Sequence, residues 1–217
     1  MDVLRKVFFT GLFLYYSGYA IWAAFYYDPK PVTPHKTREK WTKVPFDENI
    51  LRTGDLLVRH GKGFVSDCML KFNNCEEKYS HSGIIHREGN RVFVYNSIGG
   101  ESRENNSMLK EPLDMFVHPD IAFNFGIYRY DLDSVHITSL DSMLTAYYKS
   151  GLEFDLDFDM YSEDKMYCSE IIYKTMIFVS KDKNYLPLSR VDGKPYVAID
   201  DLYLNSHCKH ILEYTYD

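Results

Sequence analysis

No Cys-x-x-Cys pair occurs in this 217-residue chain. The usual ligand spacing of a structural zinc site is therefore missing. The four cysteines, Cys68, Cys75, Cys168 and Cys208, are too few for a disulfide scaffold in a chain of this length. Only Cys68 and Cys75 are close in sequence, either as a bonded pair or as two thiols on one short helix. Low-complexity tracts and repeats of solenoid period are lacking. No His/Asp/Glu cluster at ligand spacing stands out, so neither a metal nor another cofactor is expected. No basic patch runs through the chain, whose net charge is −6 and whose pI is near 5.7. Nucleic acid is accordingly not an expected partner. What is present is enough apolar sequence for one medium-sized domain with a true core.

The N-terminus is a separate object. Residues 8–27, FFTGLFLYYSGYAIWAAFYY, contain no charge. About 20 residues at ~1.5 Å rise span roughly 30 Å, the thickness of a bilayer core. The run is apolar on all faces, and its Tyr and Trp residues gather toward the end, as in an interfacial belt. Ala20 and Ala23 make no clean small-x-small cleavage site, so an uncleaved anchor over 1–28 is the expectation. Residues 29–46 hold four prolines and many charges and read as a linker. Residues 47–217 are expected to form the folded domain. The basic flank after the anchor argues for a cytoplasmic domain under the positive-inside rule. The short Arg5–Lys6 head before a lone N-terminal anchor argues for a domain facing the envelope.

Within the domain, GDLLVRH (54–60) reads as a turn and strand, and GFVSDCMLKFNN (63–74) as a short helix. HSGIIHREGNRVFVYNSIGG (81–100) places two β-rich runs around a Glu-Gly-Asn turn at 88–90, which is a hairpin signal. FGIYRYDL (125–132) is another strand. SLDSMLTAYYKSG (139–151) reads as a helix capped by Ser139 and ended by Gly151. A helix starting at Cys168 runs to about residue 179, and HILEYTY (210–216) is a closing strand. This order predicts an α+β fold with an antiparallel sheet.

Cys168 is the first residue to weigh for chemistry. Apolar positions 168, 171, 172, 175 and 179 share one helical face, which by itself reads as a buried, inert thiol. The competing reading puts Cys168 in the first turn, where the helix dipole favours a thiolate and Glu170 suits the same end. A thiolate there needs a base, and His81, which opens the strand HSGIIH, is expected to turn its ring toward that helix. His86 lies five residues on, so it points to the opposite sheet face and cannot share a metal with His81. Asn96 falls within a residue or two of His81 across the hairpin. Its side chain can accept from the second ring nitrogen and fix the tautomer, the orienting task in a Cys-His-Asn system. DLDFD (155–159) begins like a calcium loop. It lacks the glycine at loop position 6, which is Met160, and the glutamate at position 12, which is Met166.

Four segments together, GDLLVRHGKGFVSDCMLKF, YSHSGII, VFVYNSIGG and GLEFDLDFDMYSEDKMYCSEIIY, resemble the YiiX/YebB-like family. These are circularly permuted papain-like cysteine hydrolases of the NlpC superfamily, with the lecithin:retinol acyltransferase group among their relatives. The resemblance covers roughly residues 50–213, and its strongest parts are S-H-x-G-I followed by Y-C-S-E. It implies a permuted papain-like domain with an antiparallel sheet packed on the nucleophile helix. It places the nucleophile on Cys168, the base on His81 and the third polar residue on Asn96. Close relatives carry Glu at that third position, and Asn brings no negative charge to the imidazolium. The expected activity is a membrane-anchored thiol hydrolase, amidase, peptidase or acyltransferase, acting on amide or ester bonds of envelope peptides or lipids. Its partners would be a peptide or lipid-like small substrate and the membrane. The alternative is a binding module of the same fold that has lost catalysis.

Overall fold

The structure, a computed structural model, describes residues 44–99 and 107–217. The apolar run 8–27 and most of the expected linker lie outside those residues. Among the described residues no helix is long and apolar enough to cross a membrane.

The chain builds an α+β fold around one antiparallel six-stranded sheet. The strands are β1 (Leu56–Gly61), β2 (His81–Glu88), β3 (Arg91–Ser97), β4 (Met108–Pro112), β5 (Ala122–Tyr130) and β8 (Cys208–Thr215), in the order β4-β3-β2-β1-β5-β8. A separate small hairpin pairs β6 (Ser189–Val191) with β7 (Lys194–Tyr196). The helices are α1 (Phe64–Leu70), a one-turn α2 (Leu113–Phe116), α3 (Ser134–Ser150) and α4 (Cys168–Ser180).

Alternation along the strands divides the core in two. Leu56, Val58, Ile84 and Tyr95 face α3 and α4, meeting Leu140, Leu144, Ile171, Ile172 and Met176. Leu57, Ile85, Val94, Phe125 and Ile127 face the other way, onto Leu113 and Phe116 of α2 and onto Val44 and Leu51. Both sheet faces are thus covered. Val44 and Phe46, read from the sequence as linker, belong to this second layer: Val44 is buried and the Phe46 ring lies 5.7 Å from that of Phe125.

The elements that carry the expected site form for legible reasons. Helix α4 buries Cys168, Ile171, Ile172, Thr175, Met176 and Val179, an i, i+3, i+4 stripe. The β2–β3 hairpin turns at Gly89, in the left-handed region at φ 60°. Helix α3 begins earlier than expected. Asp133, not Ser139, caps it by accepting from the His136 N–H at 2.9 Å, and Gly151 closes it at φ 70°.

Candidate active site

Cys168 is the first residue of α4, and the helix start is tied down on several sides. The Tyr167 N–H donates to Glu170 Oε2 at 3.2 Å. The Tyr167 hydroxyl accepts from the Val197 N–H at 2.9 Å, and the Ser169 hydroxyl donates to the Val197 carbonyl at 2.8 Å. These bonds hold the first turn against the 197 segment and fix where the thiol sits. Cys168 is only 8% exposed. Burial pushes its thiol above the ordinary range, while the Ser82 hydroxyl and backbone, with the Ser169 and Cys168 backbone amides, pull the other way. Burial therefore works against the lowering expected of a thiol at a helix start.

His81 opens β2 and pairs with Arg59 of β1. Its half-buried ring stacks on Phe116, centroids 5.5 Å apart and planes 26° apart. Phe116 belongs to the layer opposite α4. The ring therefore lies against that layer, where the sequence led us to expect it to face the helix. The next residue, Ser82, turns to the α4 side, as does Val58, its partner on β1. The thiol and the imidazole thus belong to the layers on the two faces of the sheet. No hydrogen bond joins them among the described residues.

Asn96 stands opposite Gly83 and reaches diagonally across the hairpin. His81 Nε2 and Asn96 Oδ1 are 3.1 Å apart. The Asn96 amide then donates from Nδ2 to Glu111 Oε1 at 2.7 Å. Arg59, also buried, donates from Nη1 to the Phe116 carbonyl at 2.6 Å and lies 4.3 Å over the Phe116 ring. Burial lowers the His81 pKa to about 3, the nearby Arg59 charge adds to that, and Asn96 opposes it. The site at rest thus holds a neutral imidazole and a neutral thiol. With Nε2 engaged by Asn96, Nδ1 is the nitrogen free to take a proton.

Arg59, Ser82, Glu111 and Phe116 were not singled out from the sequence. Arg59 carried a signal, because laying RH of GDLLVRH antiparallel to SH of SHSGII pairs it with His81. Glu111 sits on β4, whose sequence MLKEP gave no strand signal. His86, as expected, points to the opposite face from His81: its Nδ1 meets Asp141 Oδ1 at 2.5 Å, and its ring lies 5.1 Å from that of Tyr95. The DLDFD segment uses its first aspartate internally, since buried Asp155 accepts from the N–H groups of Asp157 and Asp159 at 2.9 and 2.6 Å. All four cysteines are free, so Cys68 and Cys75 are not bonded.

No protein-family model matches the chain, and no curated protein matches it. Among solved structures it is similar to the crystal structure of the metalloprotein YiiX from Escherichia coli O157:H7. The TM-score is 0.62 at 15% sequence identity, over 76% of this chain and 98% of that one. At that identity the likeness is one of fold, and the fold is YiiX-like. Among the described residues no group of three or more His, Cys, Asp and Glu side chains could hold a metal ion.

Proposed function

We propose that this chain is a membrane-anchored thiol hydrolase or acyltransferase of the permuted papain-like, NlpC type. It acts on amide or ester bonds of envelope peptides or lipids. The observation that carries the reading is the His81 Nε2 to Asn96 Oδ1 contact at 3.1 Å, which joins two of the three residues that the resemblance assigns to catalysis. That contact leaves Nδ1 as the base. As the thiol attacks, its proton passes to Nδ1 and sulfur bonds to the carbonyl carbon. Backbone N–H groups at the start of α4 stabilise the oxyanion. Collapse expels the amine or alcohol, which takes the proton from His81. Water, or another acceptor, then releases the acyl group from the thioester. Because thiol and imidazole start uncharged, proton transfer accompanies the attack and does not precede it. The apolar run 8–27 supports the anchor and, through location, an envelope or lipid substrate.

A binding module of the same fold is the second reading. It is favoured by the raised thiol, the depressed imidazole and the absence of a bond between them.

Acyl-enzyme trapping separates the two. The full chain in detergent is incubated with a panel of acyl p-nitrophenyl esters and aminoacyl p-nitroanilides, and each cysteine peptide is read by mass spectrometry. The expected result is an acyl group on Cys168 that turns over. His81→Ala should lower its rate of formation by roughly 10²–10⁴-fold, the usual size of a general-base contribution. Acylation of Cys168 no faster than that of exposed Cys75, with no response to His81→Ala, overturns the hydrolase reading in favour of the binding module.

A further inference from the structure

The third polar residue of this site is an asparagine, and an asparagine side chain is ambiguous. It can offer His81 either an acceptor oxygen or a donor NH2 group. The two choices select opposite imidazole tautomers. If oxygen faces the ring, Nε2 carries the hydrogen and Nδ1 has the lone pair. If the NH2 faces the ring, Nε2 must be the bare nitrogen, and Nδ1 holds the hydrogen and cannot act as a base.

Glu111 removes the ambiguity. An ionised carboxylate only accepts, so the Asn96 group 2.7 Å from Glu111 Oε1 must be the NH2. Oδ1 is then turned to His81, 3.1 Å from Nε2. The order of atoms from Glu111 to Asn96 to His81 leaves one self-consistent arrangement of hydrogens, and it ends with an unprotonated Nδ1. Register supports the chain: Asn96 lies opposite Gly83, and Glu111 opposite Val94 on the same sheet face. Glu111 also acts on Arg59, which pairs with His81 in the sheet and whose cation is favoured by the Glu111 charge. The carboxylate thus offsets part of a positive field that would oppose an imidazolium.

We infer that Glu111 is a positioning residue of the site: it holds the Asn96 amide in one orientation and thereby sets His81 in its Nε2–H tautomer, with Nδ1 free as the base. The negative charge that Asn96 itself does not bring is supplied one residue further out. The role in catalysis rests on the thiol-hydrolase reading, whereas the tautomer does not.

The experiment reads the tautomer directly. The full chain, labelled with nitrogen-15 histidine, is held in detergent micelles, and ring nitrogens are observed by long-range proton–nitrogen correlation. His81→Ala assigns the His81 signals. In the unsubstituted protein Nδ1 should resonate as an unprotonated nitrogen and Nε2 as a protonated one. Glu111→Gln keeps an acceptor oxygen for the Asn96 NH2 and should keep that tautomer. Glu111→Leu should give a mixture of tautomers and slow Cys168 acylation by about 10–100-fold, the usual range for groups that orient a functional histidine. Near-UV circular dichroism checks that each variant is folded. Should Glu111→Leu not fold, Glu111→Ala, which also removes the acceptor for the Asn96 NH2, replaces it and should give the same mixture of tautomers. An Nδ1–H tautomer in the unsubstituted protein overturns the inference, as does a His81 tautomer that ignores removal of the Glu111 carboxylate. If the tautomers respond as expected and Cys168 is never acylated, the positioning stands and the hydrolase reading fails.

Discussion

Glu170 stands two residues beyond Cys168 in the first turn of α4 and has no exposed surface. Burial raises its pKa to about 7, even though the Lys174 ammonium lies 2.8 Å away and the Tyr167 N–H bonds to it. An acid whose folded pKa lies above its ordinary 4.5 binds its proton more tightly folded than unfolded. Its contribution to stability is complete below about pH 4.5 and is lost as pH rises through about 7. We predict that the melting temperature falls between pH 5 and pH 8, by the equivalent of about 2 kcal/mol. Glu170→Gln, which keeps an acceptor for Tyr167, should flatten that slope; differential scanning fluorimetry on both proteins across the range reads the difference. A wild-type slope that survives Glu170→Gln places the titration elsewhere. The same physics explains what was legible at this scale. Residue type and spacing brought Cys168, His81 and Asn96 forward, because a helix start and a hairpin turn are local patterns. Their charge states were not legible, since these depend on how completely each group loses water. Arg59 and Glu111 enter only through register, the one on the neighbouring strand and the other on a strand whose sequence does not announce itself.

Among the elements, the hairpin β2–β3 does most to assemble the site, and Gly83 is where it is most tightly constrained. A Cβ there would come 2.5 Å from Val94 Cγ1, 2.9 Å from the Tyr95 carbonyl and 3.1 Å from Asn96 Cβ. Two of these neighbours are backbone or branched side chain, which give way poorly. Gly83→Ala should therefore destabilise the protein by about 1–3 kcal/mol, the range for overpacking. It should also push β3 outward and stretch the Asn96 contact to His81. Urea unfolding measures the first effect and the His81 nitrogen signals the second. Unchanged stability together with an unchanged tautomer would mean the hairpin has slack that the geometry denies. Where elements were legible, periodicity was clean: α4 has a full apolar stripe, and the hairpin runs flank a glycine turn. Where they were not, the signal was diluted. The first turn of α3 carries Val135 at 70% exposure, so no apolar face marks its start. Strand β4 buries only Met108. Strands β6 and β7 have three residues each, too few to show alternation despite the Asp192–Gly193 turn between them.

For the whole molecule, the question is whether the domain needs its N-terminal segment. Residues Thr42–Asp217 form a compact unit by themselves. Both sheet faces are already covered from within that unit, one by α3 and α4 and the other by α2, Val44 and Leu51. Its terminal strand β8 pairs along β5 from Asn124 to Tyr130, and Tyr214 stacks on Phe125. A sheet closed on both sides needs no further apolar cover, which supports the anchor proposed above for the charge-free run 8–27. A chain cut to begin at Thr42 keeps Val44 and Phe46. It should melt within about 2 °C of the full chain in the same detergent, well inside what the loss of one core contact would shift. The full chain should stay with membranes through an alkaline carbonate wash, and the shortened chain should appear in the supernatant. Recovery of both chains in the supernatant would refute the anchor while leaving the fold untouched. A steep drop in melting temperature on shortening would show instead that residues 1–41 are part of the folded domain, and the run would then have to be read as a buried helix.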